Sequence, residues 1–576
     1  VSILLNREDV DTIYICTDSG REGEYIYRLV DMMAKVEGKI RKRVWIDSQT
    51  EEEILRGIRE AKDWSYYDNL SSAAFLRAKE DYLMGINFSR ILTLKYSRNV
   101  ANFLKLDRAV LSVGRVMTCV VGMVVNRERE IRNFVKTPFF KVLGKFENQG
   151  LSIDGEWKVN EKSKYFNSPM LYKDNGFREK IYAEELISHI EKIADENNRE
   201  AVVVSNEKKK ETKNPPLLFN LAEIQNECSK RFKISPDETL KIIQELYEKK
   251  LVTYPRTDAR VLSGAVAKEI DKNIKGLCKF STLADFANNI LEKGAYKNIS
   301  KTKYVNDSQI TDHYAIIPTG FGNTNSLSKL SLSVYELICR RFLSIFYPPA
   351  IYQKFAIRMG VGDEIFVSNT KVCVERGFLD ILSPVKNDDD EENAENQNPE
   401  YIKMISSLRK GSKLVLDSMS IKEGETVPPK RYSSGSIILA MENAGQLIED
   451  EELRSQIKGS GIGTSATRAD ILKKLFAIKY LALNKKTQII TPTLFGEIVY
   501  EVVNCSISQL LNPELTASWE KGLTMVSNGD ISSEEYMVKL ERFVGIRCLN
   551  VKQLNNQYSL NALFEKISKE YNGMKG

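Results

Sequence analysis

Strand-like sequence occurs in two places far apart along this chain, and any fold has to reconcile them. Alternating runs such as FFKVLGKF (Phe139–Phe146) and LSIDGEW (Leu151–Trp157) fill residues 138–166, and Ala201–Ser205 (AVVVS) adds another. A second strand-rich region covers 351–383 and resumes over 413–421. Elsewhere the apolar spacing is mostly helical. The lysine-rich stretch Glu207–Asn214, followed by Pro215-Pro216, reads as a solvated linker with no site. Residues 387–400 hold seven acids and no Lys or Arg, and they read as a disordered loop between strands.

A length of 576 residues sets an expectation of three to five domains. Hydrophobic content of 42% and charged content of 28% are ordinary for globular proteins. The net charge of +6 includes the acidic tract, so the remainder is more basic, as suits a nucleic-acid binder and many other enzymes. Eight cysteines with no CxxC pair argue for reduced intracellular thiols, and against a disulfide framework or a zinc ribbon. No run of 18 apolar residues exists to span a membrane as a helix. The sequence opens at Val1 without a signal-like region, and reads as beginning inside a longer protein.

Four stretches carry chemistry. Asp11–Thr17 reads as a buried strand that delivers Asp18, and Ser19–Glu24 turns into a helix with Ile26, Leu29, Val30 and Met33 at apolar spacing. Asp18 and Glu22 would converge at the sheet edge, where two carboxylates and phosphate oxygens suit Mg²⁺. Equally, Asp18 could cap the helix and Glu22 complement its dipole. Ser112-Val113-Gly114-Arg115-Val116-Met117 is a small-residue turn entering a helix, suited to a phosphate contact or to a plain capped helix with a surface arginine. Tyr254 ends the β-prone run Leu251–Tyr254, Pro255 stops the ladder, and Arg256 follows. A phenol attacking a phosphodiester needs such a fixed counter-charge, although most tyrosines before turns are simply packed. His313, one of only two histidines, sits between an acid and a buried run ended by Pro318; His189 lies in a helical pattern and reads as structural. Asn220 with Glu223, and Ser235 with Pro236 and Glu238, predict two capped helices ahead of Tyr254, a winged-helix-like arrangement. The turn at 459–468 lacks the Lys-Ser/Thr ending of a nucleotide-binding loop, so ATP is not expected.

Taken in order, TDSGREGE, DYLMGINFSR, LSVGRVMT, PPLLFNLAEIQ, LVTYPRTDARVLS, TDHYAIIPT, PPKRYSSGSIILAMENAG, GIGTSATRADIL and PELTASWE resemble type IA DNA topoisomerases, in particular the bacterial topoisomerase III group. The resemblance runs from about residue 11 to about residue 530. It implies a multidomain α/β, α and β torus. A TOPRIM domain would occupy residues 1–52, and a helical DNA-binding domain 53–135 with 431–576. A β-rich arch would occupy 136–214 with 350–430, and a winged-helix-like domain bearing the tyrosine 215–349. One β-domain interrupted by a helical insertion would then explain both strand-rich regions. The resemblance further implies that Tyr254 becomes linked to the 5′-phosphate of a cut strand, that Arg256 stabilises phosphoryl charge, and that His313 lies near the same centre. Asp18 and Glu22 would be metal acids for Mg²⁺, without ATP or zinc. Residues 112–117 with Arg115, together with Arg468 and Arg90, would contact single-stranded DNA.

The expected activity is cutting, passage and resealing that relaxes negative supercoils or decatenates DNA. The expected setting is a cytoplasmic, nucleoid-associated monomer with a helicase as candidate partner and no membrane. Two departures stand out. Gly20 occupies the middle acid of the family's Asp-x-Asp-x-Glu pattern, and the family's first TOPRIM strand, with a Glu-Lys-Pro segment and a catalytic glutamate, would lie upstream of Val1. These motivate one alternative, a catalytically impaired single-stranded-DNA clamp; a TOPRIM nuclease, whose Mg²⁺-dependent products would carry no protein, is a third reading.

Overall fold

The computed structural model describes residues 1–148, 150–310, 312–382, 399–448, 451–456 and 461–572. Most of the acidic tract, and Gly459 and Ser460 of the later glycine-rich turn, lie outside the described residues. The chain divides into two units, one of Val1–Arg132, Leu217–Phe342 and Lys430–Gly576, the other of Asn133–Pro216 and Leu343–Pro429.

The second unit gathers both strand-rich regions into one antiparallel sheet. Strands Pro138–Asn148, Leu151–Lys158, Glu364–Glu375, Ala350–Val361, Glu200–Lys213 and Lys413–Glu425 pair in that spatial order. Lys413–Glu425 then pairs back onto Pro138–Asn148, closing the sheet into a barrel. Closure removes open edges, and alternation sends Val142, Phe146, Ile153, Trp157, Ile357, Met359 and Phe366 inward. The helix Lys180–Glu196 adds Ala183, Leu186 and Ile190 to the same core. The expected linker at 207–214 is instead the far half of strand Glu200–Lys213, laddered to Ala350–Val361. Its lysines misled because both faces are wet there, and Glu211 pairs with Lys354 and Lys371. Buried Trp157 donates from Nε1 to Glu364 Oε2 at 2.7 Å. Trp157→Ala is expected to destabilise this unit by about 3–5 kcal/mol, read from the urea midpoint, because it opens a cavity and leaves one oxygen of the buried Glu364 carboxylate without its donor.

In the first unit, strand Thr12–Ile15 runs parallel to Ile40–Arg43, and helix Arg21–Ala34 covers them. This helix does not bury the expected Ile26 and Met33, which are 52% and 77% exposed. Its inner face is Glu24, Tyr27, Asp31 and Ala34, because Arg43 and Arg41 on the strand need the acids as partners. The long helix Asp68–Leu104 is likewise one-sided. Met84, Phe88, Leu92, Tyr96 and Val100 form its buried stripe, while Tyr82 on another face is 67% exposed. Helices Arg115–Arg132, Ser434–Glu442, Leu494–Asn504, Pro513–Asn528 and Ser533–Gln553 are among those that build that core.

Both caps expected ahead of Tyr254 form. Asn220 accepts from Glu223 N to start Leu221–Phe232, and Ser235 accepts from Glu238 N to start Pro236–Glu248. The run Leu251–Tyr254 is not a strand, however. Only an isolated bridge joins Val252 to Pro318, since Pro318 and Pro255 lack the donors that a longer ladder needs. Among the described residues, no helix is long and apolar enough to cross a membrane.

Candidate active site

Asp18 is held by what lies beneath it. The side chain of Arg43 is fully buried and donates to the carbonyls of Ile15, Thr17 and Asp18, and to Glu24 Oε2 at 2.9 Å. Ile46 N donates to Ser19 Oγ at 2.9 Å. A Cβ on Gly23 would sit 2.0 Å from the Asp18 carbonyl oxygen, so only glycine lets the turn lie this close to the helix. The N-cap of helix Arg21–Ala34 is Gly20, with no side-chain cap. Asp18 therefore does not cap this helix, and its carboxylate is left for other work.

Tyr254 reaches the same place from the opposite side. Thr253 N donates to the Ile317 carbonyl, Thr253 Oγ1 to the Ala315 carbonyl, and Thr257 Oγ1 to the His313 carbonyl. These bonds zip the tyrosine segment to the histidine segment, although 55 residues and more separate them in sequence. The Tyr254 ring packs against His313, with centroids 4.4 Å apart, and edge-on against Tyr247 at 5.4 Å. His313 Nε2 lies 3.3 Å from Asp18 Oδ1. That is ion-pair distance for a protonated ring, without the alignment of a directed hydrogen bond. Asp18, Gly20, Glu22, Tyr254, Arg256, Asp258 and Asp312 line one cavity of about 380 Å³. A second, of about 670 Å³, is also lined by Asp18, Tyr254 and Asp312 and touches His313.

The electrostatics follow from this geometry. The imidazole of His313 holds the Asp18 carboxyl below the ordinary aspartate value, against the opposing effect of burial. Burial, and then the Asp18 charge, push the Tyr254 hydroxyl above the ordinary phenol value, while Arg256 pulls it down. The phenol thus needs added positive charge before it becomes a good nucleophile.

Two carboxylates with nearby acceptor space fit a magnesium ion, which binds through one or two acids and completes its shell with water and substrate phosphate. Among the described residues, no group of three or more His, Cys, Asp or Glu side chains is placed to hold an ion unaided. Asp18 and Glu22 are thus suited to a metal that arrives with phosphate.

The other arginines singled out from sequence sit differently. The Arg115 side chain is 1% exposed, with Nε at 3.0 Å from Glu80 and 3.1 Å from Asp81, and Nη1 at 3.3 Å from Glu520. Arg468 is equally buried, and donates from Nη1 to Asp258 Oδ1 at 2.9 Å, bracing the tyrosine loop. Neither guanidinium lies open to a DNA backbone. Both begin helices packed into the core, and sequence spacing alone cannot distinguish a buried arginine with acid partners from an exposed one. Arg90 is exposed on Asp68–Leu104, outside both cavities that touch Tyr254. Ser112 and Gly114 are half-buried; Val113 and Met117 are buried. Gly114, Val116 and Met117 line a further cavity of about 570 Å³ that also touches Arg21, Glu22 and Arg77.

Burial pushes the Glu80 carboxyl up to about 7, against the pull of Arg115 and Tyr536. A carboxyl whose folded value exceeds its unfolded value of 4.5 binds extra proton when folded. Its contribution therefore falls as pH rises from about 4.5 to about 7. Glu80→Gln is expected to remove that decline, measured as the difference in urea midpoint between pH 5 and pH 7.5.

Sequence reasoning missed Arg43 and Glu24, which build the floor of the Asp18 turn, and Asp312, Tyr247 and Glu520, which form its walls. Asp312 and Glu520 lie inside quoted motifs, so the signal was present. Arg43 gave none, since a basic residue on a strand reads as solvated.

Comparison with known proteins agrees with this architecture. Residues 65–538 match the family model described as DNA topoisomerase, and the chain belongs to the type IA DNA topoisomerase family, the bacterial topoisomerase III-like branch. It is therefore an isomerase of that class. The DNA topoisomerase 3 of Bacillus licheniformis is 32% identical over 559 residues, covering 96% of this chain and 70% of the relative. The DNA topoisomerase 3 of Bacillus subtilis is 31% identical over 557 residues, with the same coverage. Full-length topoisomerase I of Thermotoga maritima shares the fold, with a TM-score of 0.64 at 20% identity over 93% of this chain and 78% of that one.

Proposed function

We propose that this chain cuts one DNA strand by attack of Tyr254 on a phosphodiester, holds the 5′-phosphate covalently, lets a strand pass, and reseals without ATP. The observation that carries this reading is the meeting of Tyr254 with His313 and Asp18, from distant parts of the chain, at the wall of the 670 Å³ cavity. In cutting, the phenol oxygen forms a bond to phosphorus, the bond to the 3′-oxygen breaks, and the net transfer of the phenol proton to that oxygen lets it leave as a 3′-hydroxyl. Resealing reverses this, so the energy of the strand bond is kept in the phosphotyrosine. Arg256, exposed beside the nucleophile, supplies positive charge to the phosphoryl group as it becomes more negative. His313 steadies Asp18 and presents a buried Nε2 toward the same space. Asp18 and Glu22 would hold Mg²⁺, which supplies charge neutralisation for the phosphate.

The substrate is DNA with single-stranded character, handled in the cytoplasm. The four-domain division expected from sequence belongs to the same proposal. A second reading, a single-strand clamp that does not cut, is favoured by Gly20, which leaves the turn one carboxylate poorer. Negatively supercoiled plasmid separates the two. With Mg²⁺ and no nucleotide, the first reading predicts a ladder of relaxed topoisomers; unchanged supercoils together with tight single-strand binding would favour the clamp.

A further inference from the structure

Three arginines converge on one acid at the edge of the cavity that Tyr254 lines. Arg21 Nη1 lies 3.0 Å from Glu520 Oε2, while Arg77 Nε and Arg115 Nη1 lie 3.5 and 3.3 Å from Oε1. They come from helices Arg21–Ala34, Asp68–Leu104 and Arg115–Arg132, and Glu520 from Pro513–Asn528. Four helices thus meet at a single carboxylate. Burial opposes ionisation of Glu520, yet Arg77, Arg115 and Arg21 together hold its carboxyl below the ordinary glutamate value.

The three arginines are not equivalent. Arg115 is 1% exposed and has two further acids, Glu80 and Asp81. Arg21 and Arg77 are 23% and 25% exposed, and both line the two cavities that Glu22 also lines, with their heads turned to Glu520. A carboxylate gripped by two half-open guanidinium groups has the charge and hydrogen-bonding pattern of a backbone phosphate. Around it stand small polar and apolar groups suited to a strand, among them Thr464, Ser465 and Thr516.

We infer that Glu520 is an internal stand-in for a DNA phosphate: it keeps Arg21 and Arg77 arrayed at the groove and competes with the backbone of an incoming single strand. The inference rests on the proposed handling of single-stranded DNA, but not on cutting by Tyr254. The carboxylate keeps the two side chains from collapsing onto other acids, and at the same time weakens binding by its own charge. The strand then gains both arginines only by drawing them from Glu520.

The test is binding of a fluorescein-labelled single-stranded oligonucleotide to the full chain without Mg²⁺, followed by anisotropy across a series of KCl concentrations. Glu520→Gln is expected to tighten binding roughly three- to tenfold, since one negative charge leaves the groove. Arg77→Gln and Arg21→Gln are each expected to weaken binding, and to reduce the slope of log K against log salt by about 0.7, the loss of one phosphate contact. Folded Glu520→Gln protein that binds no more tightly would overturn the inference and leave Glu520 a structural brace. If Glu520→Gln does not fold, the two arginine variants decide, and an unchanged slope in both overturns it. Covalent adduct formation with Mg²⁺, measured on the same wild-type preparation, reports on Tyr254 separately. An absent adduct with the expected salt slopes would contradict the cutting mechanism alone.

Discussion

Tyr254→Phe is expected to reduce strand cutting and relaxation below detection while leaving single-stranded DNA affinity within about twofold of wild type. Only one oxygen is lost, and the ring that packs against His313 and Tyr247 remains. The half-buried hydroxyl has no ion-pair partner among the described residues to leave stranded, so the variant should fold like the parent. Relaxation of negatively supercoiled plasmid and oligonucleotide anisotropy measure the two quantities. Retained cutting would favour a metal-dependent nuclease, whose products would carry no protein.

Arg43→Met is the larger structural prediction. The Arg43 side chain is fully buried and is shared between Glu24 and the carbonyls of Ile15, Thr17 and Asp18. Methionine fills part of the volume but leaves Glu24 at zero exposure with Arg28 as its remaining partner. Breaking one side of a buried pair costs about 3–5 kcal/mol. The turn that carries Asp18 should loosen along with it, so cutting should fall more steeply than single-strand binding. Urea denaturation measures the first effect and relaxation rate the second. A variant of wild-type stability would show that the Glu24–Arg43 pair does not support the turn.

Sequence was most informative where chemistry depends on local spacing. The caps at Asn220 and Ser235, the strand before Asp18 and the helix after it need only neighbours along the chain. It was least informative where partners come from afar. Nothing near Arg43 or Arg115 shows that buried acids await them, because an arginine paired with a distant carboxylate has the same local pattern as one in water. The lysines of 207–213 failed for a related reason: a strand laddered on one side and wet on both faces carries no hydrophobic alternation to reveal it. Leu251–Tyr254 erred the other way, since β-prone residues followed by Pro255 and facing Pro318 gave a single bridge instead of a ladder. The meeting of Tyr254, His313 and Asp18 lay between these extremes. Each residue was legible as a candidate, but the 4.4 and 3.3 Å separations that join them exist only in three dimensions.

The bond proposed between Tyr254 and DNA can be trapped. The chain, with Mg²⁺ and a single-stranded oligonucleotide labelled at its 3′ end, is quenched in denaturant, digested with trypsin and analysed by mass spectrometry. The predicted result is labelled DNA attached through its 5′-phosphate to the peptide containing Tyr254. Attachment at another residue, or cut DNA with no peptide attached, would contradict the account.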